Sequence, residues 1–426
     1  MVQSIKRVNR IGEKVDKYKR VNEYIKNSWQ LAVKKKDVDK DFLLPYDYVP
    51  PCVDGDLINL YYWDTYFTNK GLFLDGLKEY AFGNVENLKY CLRKFGCVPN
   101  MCRANGAKYA SQPPLLYLMI KDCYDVGGDK ALLKDGYDAL KTEYKFWMEK
   151  RLVDNGLNRY GTNDENATDD QVLEVFEYYI TRSGRDFSKY TREELVRFIK
   201  RRQGEGESGE DHTPRFLDKA MEICPIDLNC YLFGFEKTMA EFSGILKLGE
   251  ERLWEERAEK RAKLINEFCL DRKSGVFFDY DYVEKTRTGI YAAACYLPFV
   301  FGLCSDKKAI EKINRKLKFR HGVSSCEKFP TDGASYQWGY PNSWAPHNFW
   351  AAKANEKVGN EKTAKSIMQN YLETVADEFS LSGKLFEKYD AVVGGKATVN
   401  EYGLPEMLGW TAGVYQYFYS LIKEYE

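Results

Sequence analysis

An all-α fold is predicted for this 426-residue chain from three observations. Apolar residues recur at three- and four-residue spacing in several long segments, the rhythm of one buried helix face. Alternating apolar–polar runs of strand type are scarce. No Pro-rich or Ser-rich linker breaks the chain. Residues 1–426 therefore read as one continuous α-rich domain, although length alone allows two or three. About eleven or twelve helices of ordinary length, with their connections, would use most of the chain.

The stripes justify the helices in turn. Tyr137, Leu140, Tyr144 and Trp147 make the first, and Leu228, Tyr231, Leu232, Phe235, Met239 and Phe242 the second. Trp254, Ala258, Ala262, Ile265 and Phe268 make a third. A fourth runs from Ala364 through Tyr371 to Phe379, between Gly359-Asn360 and the Ser380–Gly383 stretch. Each is read as core packing, without a cofactor box. The segment 275–282 is a short strand or loop. The longest uncharged stretch, Thr288 to Ser305, is broken by Pro298. A spanning helix needs about 20 apolar residues, so this stretch is read as buried core.

One segment stands apart. Residues 162–210 are polar and charged. Within them Thr191 and Glu194 form a capping-box pattern that opens a helix ending near Arg201-Arg202. This segment is either an inserted lid over a cleft or a plain surface excursion.

Composition excludes several classes. The 64 basic and 64 acidic residues cancel, so no strong field draws nucleic acid or anionic lipid. Three histidines leave little room for a multi-histidine metal site. The eleven cysteines are odd in number and contain no Cys-x-x-Cys. With no apolar stretch near the N-terminus, they are read as reduced thiols of a cytoplasmic protein. Nothing indicates the oligomeric state.

Candidate chemistry lies in five islands between the stripes, read as non-helical. They are Tyr61 to Phe67; Val98 to Arg103 with Ser111-Gln112-Pro113-Pro114; Glu207 to Phe216; Gln337 to Pro346; and Glu387 to Asp390 with Glu401-Tyr402-Gly403 and Gly409-Trp410-Thr411. They crowd together Trp, Tyr, amides and carboxylates. Flat aromatic faces suit the C–H face of a sugar, and amides and carboxylates bind its hydroxyls. Cleaving a glycosidic bond takes two carboxyl groups, one protonated to assist the leaving oxygen and one ionised. Carboxylates are too numerous here for that logic to choose the pair.

In their order, these islands resemble the trehalase family of glycoside hydrolases. Tyr62-Trp63-Asp64-Thr65-Tyr66-Phe67 resembles that family's Tyr-Trp-Asp-Ser-Tyr element. The run from Gln337 to Pro346 is similar to Gln-Trp-Asp-Tyr-Pro-Asn-Gly-Trp-Ala-Pro, with Gly339 where Asp is usual. Ser111-Gln112-Pro113-Pro114 and Glu387-Lys388-Tyr389-Asp390 match as well. The likeness spans roughly residues 45–420, and a weaker one extends to glucosidase I and to hydrolases of mannosyl- and glucosyl-glycerate.

The resemblance implies an (α/α)6 barrel with the site at its mouth, a small carbohydrate substrate, inversion at the anomeric carbon and no cofactor. It assigns the general acid to Asp211, in a Glu-Ser-Gly-x-Asp motif, and the general base to Glu387. It sets Trp63 and Trp344 beside the sugar, and Asp64, Asn100, Gln112 and Glu401 on its hydroxyls. Tyr62, Arg103, Gln337 and Trp338 complete the implied binding set. Arg215 also matches, with a structural ion pair as the competing role.

The departures bear on substrate. Asp56 and Ala110 stand where trehalases carry arginines, and no Arg-Pro-Glu follows Asn158-Arg159-Tyr160. Each such arginine supplies charge-assisted hydrogen bonds worth about 1.5–3 kcal/mol. The expected substrate is trehalose or a related α-glucoside. The alternatives are a kojibiose- or nigerose-like disaccharide, a glucosyl- or mannosyl-glycerate, or a silent sugar-binding protein on the same fold. An epimerase is disfavoured, because such chemistry leans on histidines.

Overall fold

The computed structural model describes residues 2–36, 42–55, 57–104, 106, 110–175, 185–330, 336–398, 406 and 408–423, with side chains from residue 17 onward. All four apolar stripes fall on helices: Lys130–Lys150, Ile226–Leu246, Glu251–Phe268 and Glu361–Ser382. Asp129 opens the first by accepting hydrogen bonds from the Ala131 and Leu132 amides, which satisfies donors that a helix start leaves over. The helix Arg192–Arg202 opens with the expected capping box of Thr191 and Glu194.

Helices adjacent in sequence pack as pairs. Tyr62–Leu74 lies on Lys78–Phe95, Leu116–Gly127 on Lys130–Lys150, Ile226–Leu246 on Glu251–Phe268, and Ala345–Lys357 on Glu361–Ser382. The C-terminal helix Gly409–Lys423 then packs along Tyr62–Leu74, so the two ends of the barrel meet. This is the (α/α)6 barrel that was expected. Its closure depends on absent side chains. A Cβ on Gly413 would stand 2.0 Å from the Phe67 carbonyl oxygen, and one on Gly71 would stand 2.8 Å from the Gly413 Cα. The two helix backbones thus touch directly, and Trp63 of one meets Trp410 of the other at 5.8 Å.

One hydrophobic cluster runs from Tyr18 to Ile422. A small separate one, Val172, Val196 and Ile199, gives the polar 162–210 segment its own apolar centre. Strands are two or three residues long among the described residues. Val276–Phe277 pairs with Leu270–Asp271, and Tyr280–Asp281 with Ile223–Cys224, so the 275–282 segment is strand in part. The uncharged 288–305 stretch holds the short helices Ala293–Tyr296 and Leu297–Val300, both buried. No helix among the described residues is long and apolar enough to cross a membrane. All eleven cysteines are free thiols, ten of them buried.

Four of the islands expected to be non-helical hold the start of a helix instead. Pro214–Phe216 begins in the third as a single 3-10 turn, and Ala345–Lys357 begins at the end of the fourth. Tyr62–Leu74 starts within the first, and Gly409–Lys423 starts in the last. For these two the reason is burial on every side. Tyr62 through Asn69 are all buried without a break. A helix enclosed all round shows no 3.6-residue contrast between its faces, so the periodic signal vanishes.

Candidate active site

The islands converge through short strands and side-chain stacking. Asn342–Trp344 pairs antiparallel with Lys388–Asp390, in a register that sets Trp344 opposite Lys388. This joins the Gln337–Pro346 signature to the Glu387 motif. Glu387 is buried, and its Oε2 accepts from Lys388 Nζ at 2.9 Å. The same ammonium donates to Gln337 Oε1 at 3.1 Å and lies 4.6 Å from the Trp344 ring centroid. The Glu387–Lys388 ion pair is therefore an interior one and not a surface pair. Trp410 Nε1 donates to the Glu387 carbonyl at 3.1 Å, fixing the backbone from the other side.

Four buried tryptophans form a cluster between these motifs. Trp338 stacks on Trp344 with centroids 3.6 Å apart and planes within 3°. Trp410 meets both edge-on, at 6.0 and 5.5 Å. Trp63 lies 5.7 Å from Trp338 and 5.8 Å from Trp410. Beyond the area they bury, the edge contacts of Trp410 add roughly 0.5–1.5 kcal/mol each. Asp64, beside Trp63, is buried. Burial first, and then the negative charge of Glu387, pushes its carboxyl up to about 8. Below that pH Asp64 keeps its proton and is a hydrogen-bond donor next to the Glu387 carboxylate.

Asp211 sits on a separately braced loop. The short helix Gly204–Ser208 ends at Gly209, whose φ of +74° is the left-handed conformation glycine adopts without strain. A Cβ there would lie 2.8 Å from Trp63 Cε2, so the Trp63 indole packs flat against this turn. Glu207 anchors the turn from below. Its carboxylate takes Arg151 in a two-pronged pair at 2.6 and 2.8 Å, with the amides of Ser111 and Gly161 at 3.0 and 2.8 Å. Removing either charge would strand the other in the interior, at a cost of about 3–5 kcal/mol. Glu205 holds Arg202 and the His212 amide. The His212 carbonyl accepts from the Trp338 amide at 3.2 Å, which ties the Asp211 loop to the signature tryptophans.

Glu210 faces inward, to His347 Nε2 at 3.1 Å and Arg215 at 3.3 Å. Burial raises its carboxyl, but Arg215 and His347 outweigh burial and hold it below the usual range. Arg215 also pairs with Asp279 and Asp227, all buried. The structural ion pair is thus its role here, and it secures the end of the Asp211 loop.

A cavity of about 520 Å³ opens on Asp211. Asn100, Arg103 and Ala110 line it, as do Thr162, Asp164 and Val175 of the polar segment. Asn100 Nδ2 donates to the Gly206 carbonyl at 3.1 Å, and Gln112 Oε1 accepts the Trp63 amide at 3.1 Å. Both amides therefore hold the loops of the site in place. Glu387 lies outside this lining. Trp344, expected beside the sugar, is fully buried beneath Trp338.

Tyr62 departs from expectation. Its hydroxyl donates to Glu143 and accepts the Leu116 amide, so it is spent in the core. Nothing local to Tyr62 signals Glu143, which is 81 positions away on another helix. Glu401 and Asp56 lie outside the described residues. Sequence reasoning missed Arg151, Glu143 and His347, whose partners are remote in sequence. The one available hint was the cluster of carboxylates from Glu205 to Asp211, more than a single acid requires.

Comparison with known proteins shows the family and the fold. A model of the trehalase family matches residues 3–423. The neutral trehalase Nth1 of Saccharomyces cerevisiae superposes with a TM-score of 0.74 at 26% identity, over 94% of this chain and 79% of that one. The GH63 mannosylglycerate hydrolase of Thermus thermophilus is alike in fold. In complex with glucose it gives a TM-score of 0.63 at 15% identity, over 94% of this chain and all of that one. Its complex with Tris gives 0.61 at 14%, with the same coverage. The chain belongs to the trehalase family and is a glycoside hydrolase.

Proposed function

We propose that this enzyme hydrolyses a small α-glucoside with inversion, Asp211 acting as general acid and Glu387 as general base. The observation that carries the reading is the bracing of these two carboxyl groups by one tryptophan cluster. The Glu387 strand bonds to Trp344 and Trp410, and the Asp211 loop bonds to Trp338 and packs on Trp63. A sugar bound at the Trp63 end of this cluster presents its anomeric carbon between the two motifs.

In this mechanism Asp211 protonates the glycosidic oxygen as the bond to the anomeric carbon lengthens. Glu387 takes a proton from the water that attacks the opposite face. The two carboxyls of an inverting pair stand about 6.5–9.5 Å apart to admit that water. Asp64, protonated near neutrality, donates to a sugar hydroxyl, as the family resemblance suggests. Lys388 and Gln337 steady Glu387. The 162–210 segment acts as a lid bordering the leaving-group side of a single catalytic domain. The free thiols fit a reducing compartment.

Release of glucose from trehalose, kojibiose, nigerose, maltose, isomaltose and glucosylglycerate tests the reading. Turnover of at least one, abolished in Asp211→Asn, is the expected result. Trehalose is expected to be a poor member of the panel, because Ala110 stands at the cavity where its recognition calls for an arginine. Unchanged glucose release in Asp211→Asn would refute the assignment.

A further inference from the structure

We infer that the leaving group of the natural substrate carries an apolar face, so that the enzyme takes alkyl or aryl glucosides, or sugars bearing such a group, over plain disaccharides. This rests on the glycosidase reading above and deepens it. The cavity that opens on Asp211 is where the leaving group must stand, because the acid has to reach the oxygen that departs with it. At about 520 Å³ it has the size of a pocket for a whole small molecule.

Its lining is mixed: besides Asp211, the polar residues are Asn100, Arg103, Thr162, Asp164, Gln171 and Gln203. Met101, Ala110, Ala167, Val172 and Val175 contribute an apolar wall, and among the described residues Arg103 is the single basic group in the lining. A pyranose leaving group carries several hydroxyls, and each loses water on entering. Each therefore needs a partner, or it costs free energy. Several of the polar groups are already committed: the Asn100 amide to the Gly206 carbonyl, the Thr162 hydroxyl oxygen to the Asp164 amide, and the Gln171 side-chain carbonyl to the Thr168 amide. An apolar surface gains on entering the same space, in proportion to the area removed from water.

The wall is also built, not incidental. Val172 is anchored in the small cluster with Val196 and Ile199, so the helical residues 169–175 have a fixed footing. From that footing Val175, 40% exposed, lines the cavity. Met101 faces the same space from the other side, where an antiparallel bridge to Tyr61 ties it to the start of the Trp63 helix.

The test is a series of methyl, butyl and hexyl α-D-glucosides, read by glucose release and by quenching of tryptophan fluorescence on binding. kcat/KM is expected to rise about three- to fourfold per methylene until the cavity is filled. Val175→Gln and Met101→Gln, made separately, are expected to flatten that rise. Val175 is exposed, so its replacement leaves the core untouched. A flat series, with disaccharides cleaved normally, would overturn the inference and leave the glycosidase reading standing. Binding that tightens along the series without any hydrolysis would support the apolar cavity and refute the glycosidase reading. Neither binding nor hydrolysis of any member would overturn both.

Discussion

Asp211→Asn and Glu387→Gln are each expected to lower kcat on an alkyl α-glucoside or disaccharide by about 10²–10⁴-fold, the usual weight of one acid–base group. The two losses separate when the leaving group changes. α-Glucosyl fluoride departs with little help from a proton. Asp211→Asn is therefore expected to recover most of its activity on the fluoride, while Glu387→Gln remains inactive because the attacking water still needs a base. Thermal midpoints check that folding survives. Asp211 is only partly buried, so Asn replaces it without stranding a charge. Glu387→Gln deprives Lys388 of a buried partner, but Gln337 Oε1 remains bonded to that ammonium. Recovery of Glu387→Gln on the fluoride, with Asp211→Asn still inactive, would exchange the two roles.

The second large effect is a gain of stability at the cost of activity. The Asp64 carboxyl, pushed up to about 8 from an ordinary value near 3.8, binds a proton at neutral pH that the unfolded chain has already lost. Between those values the folded state holds more protons than the unfolded one, so stability falls as pH rises. The contribution is intact below about pH 4 and is progressively lost up to about pH 8. Asparagine has no proton to hold. Asp64→Asn is therefore expected to match the parent near pH 4 and to exceed it increasingly, by up to about 4 kcal/mol at pH 7. Denaturant midpoints for both proteins at pH 4, 5.5 and 7 measure this. A difference independent of pH, or a destabilised Asp64→Asn at pH 7, would show that Asp64 is ionised in the folded protein. Activity should fall in the same variant, because the proposed contact to the sugar is altered.

What the sequence made legible follows from the range of the forces involved. The capping box at Thr191 and Glu194 is complete within four residues, and so it was readable. The four stripes have one wet and one dry face, which periodicity records. The Tyr62–Leu74 helix has no wet face near its start, and its aromatic run passed for a loop. Asp211 and Glu387 were singled out by motif order, not by any local physical signal. The pairs that brace them span the chain: Arg151 reaches Glu207 across 56 positions, and His347 reaches Glu210 across 137. No window short enough to read as a pattern contains both members. The stack of Trp338 on Trp344 lay within one motif, yet its geometry depends on the loop between them and on Lys388 from a distant strand. The apolar wall of the Asp211 cavity was equally hidden, since Met101 and Val175 meet only in the fold.

The proposal stands on a water activated by Glu387 on the face opposite to the bond protonated by Asp211. The measurement that tests this most directly is the anomeric form of the glucose first released from an α-glucoside, followed by proton NMR before mutarotation. The account predicts β-glucose, decaying toward the equilibrium mixture. α-Glucose as the first product would contradict it, since retention requires a covalent glycosyl-enzyme and a carboxylate acting as nucleophile.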